Sequence, residues 1–362
     1  MTEKDFIPPS YTKTLANGSV SYKSPSNIAL VKYWGKYGEQ LPKNASISFT
    51  LSECHTLTTL NFQKKSGDGY DFEVYLDGKR ELGFEPKIQK FFERIEKYIP
   101  FLQEYSFRIE TTNSFPHSSG IASSASGMSA LALCLMTMER QMQTAKDERY
   151  FMNKASFLSR LGSGSASRSI EGPLVVWGAH ENVPGSSNLY GVSYPHKVHA
   201  NFSHFQDAIL LVDKGEKQVS STVGHNLMHD HPFAEQRFQQ ANDQLAALIP
   251  VLESGDLNSF IEIVESEALA LHAMMMTSSP NFILMKPNTL EIIERIRGFR
   301  KNKGVPVCFT LDAGANVHVL FPKSVKQQVM ELVQSELAPF CKNGEFIADK
   351  TGSGATEVTV KE

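Results

Sequence analysis

The segment 113–135 constrains the fold of this chain more than any other. It reads N-S-F-P-H-S-S-G-I-A-S-S-A-S-G-M-S-A-L-A-L-C-L, a hydroxyl-rich loop that passes without a break into an apolar helix of small residues. The first amides of such a helix and the positive end of its dipole face the loop, and together they favour an anion, usually a phosphate. The alternative is a loop that only caps a buried helix. The density of hydroxyls favours the anion site.

Length and composition are those of a globular protein with room for two domains, since the chain has 362 residues, of which 41% are hydrophobic and 21% charged. The net charge is −3 without a long basic run, so we expect no nucleic-acid partner. The N-terminus lacks the apolar core of a signal peptide and no run has membrane-spanning length, so we expect a cytoplasmic protein without membrane contact. The four cysteines lack metal-ligand spacing, which suits a reducing compartment.

Apolar periodicity predicts the secondary structure. We expect an irregular lead-in up to about Val20, strands at 26–33, 47–51, 57–62, 71–76, 105–111 and 174–177, and helices at 86–98, 123–138 and 147–161. The Gly-, Pro- and Ser-rich segment 184–202 predicts a domain boundary or an exposed loop. Beyond it we expect a strand at 207–212, helices at 233–252, 257–275, 289–303 and 325–337, and a hairpin of strands 305–310 and 317–321. Because regular βα alternation is missing, these elements predict an α+β class.

Two lysines near the end of the first strand are candidate anion-binding residues. Lys32 follows the apolar run S-N-I-A-L-V and stands beside Tyr33 and Trp34. A lysine placed there is partly desolvated, which favours an anionic partner over a solvated surface charge. Lys36 follows Gly35 and projects from a turn, where the functional and the surface interpretations are evenly balanced.

A second Gly/Ser run, G-S-G-S-A-S-R at 162–168, follows the helix predicted at 147–161. Such a run alone is typical of a flexible turn. Its position at a helix end, and the planar guanidinium of Arg168 that closes it, favour binding of a carboxylate or a phosphate.

Asp312 lies in T-L-D-A-G-A-N at the tip of the predicted hairpin. An Asp before Gly is a routine turn residue, so only its context can promote it to a functional one.

The histidines show no paired helical spacing typical of zinc. A phosphate-binding loop, an Arg among hydroxyls, a strand-end Lys and a single Asp together fit phosphoryl transfer to a small, multiply anionic substrate.

These motifs resemble those of a known family. F-P-H-S-S-G-I-A-S-S-A-S-G resembles the phosphate loop of the GHMP kinase superfamily. The run N-I-A-L-V-K-Y-W-G-K, with L-P-K-N-A-S-I-S after it, resembles the signature of the diphosphomevalonate decarboxylase family. S-G-S-A-S-R-S, F-T-L-D-A-G-A-N and S-S-T-V-G-H resemble three further motifs of that family, in the same order along the chain.

The resemblance implies a two-domain fold. Residues 1–200 are expected to form a domain like domain 2 of ribosomal protein S5 that carries the phosphate loop, and residues 201–362 a ferredoxin-like domain. It also implies ATP and Mg²⁺, and a homodimer. The implied ATP-binding residues are Ser118, Ser119, Gly120, Ala122, Ser123, Ser124 and Ser126, with Ser123 and Ser124 near the metal.

The implied reaction is the ATP-dependent decarboxylation of 5-diphosphomevalonate to isopentenyl diphosphate. Asp312 is expected to orient or deprotonate the 3-hydroxyl during phosphoryl transfer, with Lys32 nearby. Arg168 holds the carboxylate before phosphate and CO₂ leave. The implied substrate-binding residues are Tyr33, Trp34, Gly35, Lys36, Ser163, Gly164, Ser165, Ala166, Ser167, Arg168 and Thr222.

The chain departs from the family pattern at several positions. His117, Ser118 and Ser119 make the phosphate loop more polar, and Ser167 replaces Cys. Ala315 replaces Pro, which is expected to loosen the turn that aims Asp312. His225 replaces Met, which is expected to alter contacts to the nucleotide or the substrate. Two alternatives stay open: a sibling enzyme acting on mevalonate or a mevalonate monophosphate, and a catalytically silent small-molecule-binding protein.

Overall fold

Two β-sheets with helices packed against them organise the chain. The computed structural model describes residues 1–116, 121–143, 147–213 and 221–359, and only the backbone of residues 221 and 222. The strands of the described residues are β1 (Asn17–Val31), β2 (Lys36–Tyr37), β3 (Leu41–Pro42), β4 (Ser46–Lys64), β5 (Asp71–Leu76), β6 (Lys79–Arg80), β7 (Tyr105–Asn113), β8 (Leu174–Trp177), β9 (Val192–Ser193), β10 (Gln206–Leu210), β11 (Cys308–Thr310), β12 (Val317–Phe321), β13 (Phe346–Lys350) and β14 (Thr356–Glu357).

The α-helices of the described residues are α1 (Glu85–Ile95), α2 (Ser123–Met142), α3 (Glu148–Gly162), α4 (Ser221–Asn226), α5 (Ala234–Ser254), α6 (Leu257–Met276), α7 (Pro287–Lys303) and α8 (Lys326–Leu332). A π-helical turn, Val333–Leu337, prolongs α8 over the rest of the predicted helix. Within the described residues, no helix has both the length and the apolar character needed to cross a membrane.

The first sheet has the strand order β14-β1-β4-β7-β5-β6, and β8 joins it through β4 and carries β9. All pairs are antiparallel except β5 and β7. Helix α2 packs on β1 and β4 and against α3. Its alanines Ala125, Ala130 and Ala132 are fully buried, and side chains of that size let a helix lie close to a sheet. This packing fixes the N-terminus of α2, where the phosphate-loop motif ends.

The second sheet is antiparallel, with the order β11-β12-β10-β13. Ile292, Ile293 and Ile296 of α7 pack with Val317 and Val319 of β12 in its core. The separate sheets and the mainly antiparallel pairing confirm the predicted α+β class. The boundary expected at residue 200 stays a prediction, and β14, from the far C-terminal end, pairs with β1 of the first sheet.

The predicted irregular lead-in up to Val20 is wrong at its end, because β1 already begins at Asn17. Gly18 is the reason that sequence patterns miss this start. It lies opposite Phe62 of β4, and a Cβ on Gly18 would come within 2.6 Å of the Phe62 ring. The glycine breaks the apolar pattern but makes room for the aromatic ring across the strand pair.

The two strands predicted at 47–51 and 57–62 are one strand, β4. The polar run between them bulges away from β1, as shown by a register shift between Pro25 and Asn27. There the Asp349 carboxylate accepts the backbone N–H groups of Ser52, Glu53 and Cys54 at 2.8–2.9 Å. A residue almost 300 positions away satisfies these amides, so local sequence cannot show that the strand continues.

The segment predicted as a boundary or exposed loop, 184–202, is partly built into the first sheet. β9 pairs with β8, and Tyr190 and Val192 are buried.

A hairpin of the predicted strands at 305–310 and 317–321 is present, but its first strand starts only at Cys308, after Pro306. A proline lacks the N–H needed for strand pairing, which explains the late start.

Candidate active site

Lys32 is the first residue after β1, and it is buried with only 1% of its surface exposed. Its Nζ donates to the Ala29 carbonyl at 2.7 Å and lies 3.1 Å from Asp312 Oδ1. Burial lowers the pKa of the Lys32 ammonium, and the nearby Asp312 carboxylate acts in the opposite direction. The strand end therefore holds a desolvated cation against a carboxylate, as predicted from its position.

Asp312 lies in the turn between β11 and β12, and 32% of its side-chain surface is exposed. Its backbone carbonyl accepts from the Gly314 amide at 2.7 Å and from His272 Nε2, on α6, at 3.1 Å. Ala315, three residues after Asp312 in the same turn, accepts the Thr289 hydroxyl at its backbone carbonyl at 2.7 Å. These contacts hold the turn that was expected to be loosened by Ala315.

Two buried residues of the C-terminal half, Glu267 and Arg237, form a charged pair that holds the Lys32 backbone. Glu267 of α6 accepts the Lys32 backbone N–H at 2.8 Å. The same carboxylate accepts two N–H groups of Arg237, on α5, at 2.9 and 2.6 Å. Both side chains are buried. This bidentate pair was not predicted, because neither residue stands in a motif.

Arg168 is buried beneath the second Gly/Ser run, in a short 3₁₀ segment, Gly164–Arg168. Its Nη1 donates to the Ser46 hydroxyl, and its Nε lies 3.4 Å from Asn27 Oδ1. Burial lowers its pKa to about 10, with Asp312 and Tyr33 acting in the opposite direction. The guanidinium stays charged at neutral pH and is held by neutral partners, which leaves its charge available to an anion.

Gly164 lets the second Gly/Ser run approach Tyr33, which follows β1, and Trp177, the last residue of β8. A Cβ at this position would lie 2.8 Å from the Trp177 ring and 2.9 Å from the Tyr33 hydroxyl. Ser163 and Ser165, on either side, line the same cavity as Tyr33. The run therefore forms a wall of the cavity rather than a flexible turn.

The N-terminus of α2 also faces this cavity. Ala122, the residue before the helix, has a left-handed backbone (φ +46°) and offers no side-chain acceptor to the first amides. Ser123 and Ser124 line the cavity, and the Ser124 hydroxyl accepts a hydrogen bond from Lys87. An α-helix start without a side-chain cap leaves its amides to a ligand, which favours an anion.

A basic face of α1 lines the site, although the apolar periodicity of this segment predicted only the buried face of the helix. Lys87, Lys90 and Arg94 line the cavity together with Lys36. The positive charges of Arg94 and Lys90 act with burial to lower the pKa of Lys36. The i, i+3, i+7 spacing of these cations was the available signal. Four cationic side chains that line one cavity favour a polyanionic ligand.

The cavity that these residues surround has a volume of about 660 Å³. Among the described residues of its wall, Asp312 is the single carboxylate, against six lysine and arginine side chains: Lys32, Lys36, Lys87, Lys90, Arg94 and Arg168. This excess of positive charge contrasts with the net charge of −3 for the whole chain. The cavity is therefore built for a strongly anionic ligand.

The structure brings most of the predicted site residues together at this cavity. Those that line it are Lys32, Tyr33, Trp34, Lys36, Ala122, Ser123, Ser124, Ser163, Gly164, Ser165, Arg168 and Asp312. Four of the predicted residues do not line the cavity: Gly35, Ser126, Ala166 and Ser167. The Ser126 hydroxyl is 2.6 Å from that of Thr56. Ser118, Ser119, Gly120 and the Thr222 side chain lie outside the described residues.

The fold and the site define a class, the GHMP-kinase-like proteins of two mixed α/β domains. Residues 24–189 match the family model of the diphosphomevalonate decarboxylase-like N-terminal domain, and residues 208–361 that of the mevalonate 5-diphosphate decarboxylase C-terminal domain. The chain belongs to the diphosphomevalonate decarboxylase family. The resemblance drawn from the motifs is thereby confirmed.

Individual relatives agree. The diphosphomevalonate decarboxylase of Ganoderma lucidum is 28% identical over 329 residues, 86% of this chain and 80% of the relative. The crystal structure of mevalonate diphosphate decarboxylase from Staphylococcus aureus has a TM-score of 0.81 at 27% identity, and the match covers 95% of this chain and 98% of that one. A structure of MDDEF in complex with MVAPP, AMPPCP and magnesium has a TM-score of 0.81 at 26% identity, covering 95% and 100%.

Proposed function

We propose that this protein catalyses the ATP-dependent decarboxylation of 5-diphosphomevalonate to isopentenyl diphosphate, with ADP, phosphate and CO₂ as the other products. One observation carries the proposal. The cavity places one carboxylate, Asp312, against a buried cation, Lys32, and surrounds them with five further cationic side chains. A substrate with a carboxylate and a diphosphate, together with a nucleotide triphosphate, matches this charge.

Asp312 acts on the 3-hydroxyl of the substrate. The hydroxyl oxygen forms a bond to the γ-phosphorus of ATP, the bond from that phosphorus to ADP breaks, and Asp312 orients the hydroxyl or accepts its proton. Lys32, whose Nζ lies 3.1 Å from Asp312 Oδ1, stabilises the negative charge that develops on the transferring group.

Arg168 binds the substrate carboxylate through the second step. The C3–O bond to the new phosphate breaks and the phosphate leaves. The bond between C2 and the carboxylate carbon also breaks, its electron pair forms the C2–C3 double bond, and CO₂ leaves. Arg168 is fixed by Ser46 and Asn27, so it orients the carboxylate without moving during the reaction. Ser163, Ser165 and Tyr33, on the adjoining wall, donate hydrogen bonds to the same substrate.

The diphosphate is bound by the basic face of α1 and by Lys36. Four cations, Lys36, Lys87, Lys90 and Arg94, are more than a monophosphate or free mevalonate can neutralise. This cluster favours the diphosphate over the substrates of the sibling enzyme.

ATP and Mg²⁺ fit the remaining wall. The uncapped start of α2, with the hydroxyls of Ser123 and Ser124, suits the phosphates. Within the described residues, no group of three or more His, Cys, Asp or Glu forms a metal cage. Mg²⁺ usually takes only one or two protein oxygens beside substrate phosphates, which Ser123, Ser124 and Asp312 can provide. When bound, Mg²⁺ neutralises phosphate charge.

A cytoplasmic location and a homodimer stay predictions.

A product assay tests the proposal. Purified protein is incubated with ATP, Mg²⁺ and, in separate reactions, mevalonate, its 3- and 5-monophosphates and its 5-diphosphate, while ADP and CO₂ are followed together. We expect equal amounts of both products with the diphosphate alone. ADP without CO₂ from every substrate would identify a kinase, and neither product from any of them would identify the silent binding protein.

A further inference from the structure

His225 occupies an aromatic niche at the cavity. It lies in α4, with its ring centroid 4.3 Å from that of Tyr33 and 4.7 Å from that of Trp34. Its Nδ1 accepts the Gly35 backbone N–H at 2.9 Å. A ring nitrogen that accepts a hydrogen bond carries no proton, so in the neutral ring the proton is on Nε2. The Gly35 amide thus fixes the tautomer of His225.

The surroundings keep this ring neutral. Burial is the main cause, and the positive charges of Lys36 and Arg168 add to it, lowering the pKa of His225 to about 3. The aromatic rings of Tyr33 and Trp34, which carry no charge at neutral pH, pack against the imidazole. His225 therefore presents an uncharged N–H in the physiological pH range.

The Nε2 edge is the part of the ring left for a ligand. Within the described chain, the Gly35 amide is the one hydrogen-bond partner of the imidazole. The residue is 8% exposed, and it lines the cavity with Lys36, Ser163 and Arg168. A donor in a largely desolvated position gains little from water and much from an anionic partner.

We propose that His225 Nε2–H donates a hydrogen bond to an anionic phosphate oxygen of the substrate, beside Lys36, and so makes position 225 a specificity-determining residue. This inference rests on the proposed function for the name of the substrate. The contact adds direction where Lys36 adds only charge, because an N–H held by Gly35 and two aromatic rings has one orientation. A methionine at this position could not donate it.

Two substitutions separate the proposed contact from the internal one. In His225→Asn the amide oxygen takes the place of Nδ1 and still accepts the Gly35 N–H, but the Nε2–H is lost. In His225→Gln the amide nitrogen takes the place of Nε2 and keeps the donor, while the bond to Gly35 is lost. A role limited to holding Gly35 would damage the Gln variant more, and the proposed role damages the Asn variant more.

The kinetic experiment uses the whole protein with ATP, Mg²⁺ and 5-diphosphomevalonate. We expect His225→Asn to raise the KM for the mevalonate substrate about tenfold, as for the loss of one charge-assisted hydrogen bond. Its kcat and its KM for ATP should change much less, and His225→Gln should lie between the Asn variant and the wild type. An unchanged substrate KM in His225→Asn, or a larger increase in His225→Gln, would overturn the proposal.

A binding measurement separates this proposal from the proposed reaction. Inorganic diphosphate is titrated into the wild type and both variants by calorimetry, which needs no turnover. We expect its Kd to rise about tenfold in His225→Asn and less in His225→Gln. Such a result with a wild type that makes no CO₂ would overturn the reaction and leave the His225 contact standing. Equal Kd values in all three proteins would overturn the contact, whatever the turnover.

Discussion

The ammonium of Lys32 and the carboxylate of Asp312 lie 3.1 Å apart although 280 residues separate them in the chain. Lys32 comes from the end of a strand of the first sheet, and Asp312 from a turn of the second. The pair therefore forms only when the two sheets are packed together. Folding and assembly of the reacting centre are in this sense the same event.

The first prediction concerns the carboxylate. Asp312→Asn keeps the shape of the side chain but removes the base and the negative partner of Lys32, so we expect kcat to fall by about 10³-fold or more. Binding of ATP, measured by calorimetry, should stay nearly unchanged. Asp243→Asn, at an exposed position of α5, serves as the control and should keep wild-type turnover. Near-normal turnover of Asp312→Asn would exclude the role assigned to this residue.

The second prediction concerns the ionisation of Lys32. Burial lowers its pKa from 10.5, so the ammonium loses its proton at a lower pH than an exposed lysine does. Activity that needs the charged form should therefore fall as the pH rises, with an alkaline limb in kcat/KM below pH 10.5. The residual activity of Lys32→Arg should lack that limb, because a guanidinium stays protonated. The same limb in both proteins would assign it to another group, such as Lys36.

The third prediction concerns Arg168. Its guanidinium contacts Ser46 and Asn27 together, and an ammonium cannot reproduce that fork or bind a carboxylate through two parallel hydrogen bonds. We expect Arg168→Lys to lower kcat/KM about 10²-fold or more. Arg149→Lys is the matched control, since Arg149 is more than half exposed and pairs with Glu171 at the surface. Equal activity of the two variants would show that the fork at position 168 is dispensable.

The fourth prediction concerns the Glu267–Arg237 pair, whose carboxylate accepts the Lys32 backbone N–H. Glu267→Gln weakens the buried pair with Arg237 and leaves that guanidinium without a counter-charge, which should cost about 3–5 kcal/mol of the free energy of unfolding. It should also lower kcat, because the Lys32 backbone loses a charged acceptor.

Glu265, on the same helix, gives a control for this substitution. Its partners, Arg300 and Arg297, are partly exposed, so Glu265→Gln should destabilise less and leave kcat unchanged. Urea unfolding measures the loss of stability in both variants, and steady-state kinetics measure the change in kcat. A kcat effect of Glu265→Gln as large as that of Glu267→Gln would show that general destabilisation, not support of Lys32, is responsible.

Sequence patterns were sufficient for the parts of the site that are contiguous in the chain. Lys32 after an apolar strand, the Ser-rich start of α2 and the Gly/Ser run ending at Arg168 each carry a local signal, because strand ends and helix ends are defined within a few residues. The same holds for the helices, whose boundaries differ from the predicted ones by only a few residues in most cases.

The parts that sequence patterns missed depend on contacts between distant segments. Glu267 and Arg237 are two charged residues on helices, and nothing nearby shows that they pair beneath Lys32. β4 continues as one strand through its polar middle because Asp349 accepts the backbone N–H groups there. The basic face of α1 is ordinary for a surface helix until the fold turns it toward a cavity. In each case tertiary packing, rather than local propensity, decides.

The last prediction concerns the pH dependence of stability through His272, whose Nε2 donates to the Asp312 carbonyl. Burial lowers its pKa from 6.5 to about 4. Below pH 6.5 the unfolded chain takes up a proton that the folded protein excludes, so stability falls as the pH drops from 6.5 to 4 and levels off below. Between pH 7.5 and 5.0 this amounts to about 2 kcal/mol.

His272→Gln keeps a donor for the Asp312 carbonyl but does not titrate. Its free energy of unfolding, from urea melts at pH 7.5 and 5.0, should therefore fall by about 2 kcal/mol less than that of the wild type. His229→Gln, at an exposed position, should show the wild-type dependence. If His272→Gln lost as much stability as the wild type on acidification, the ring would not be held neutral by the fold, and its support of the Asp312 turn would have to be reassigned.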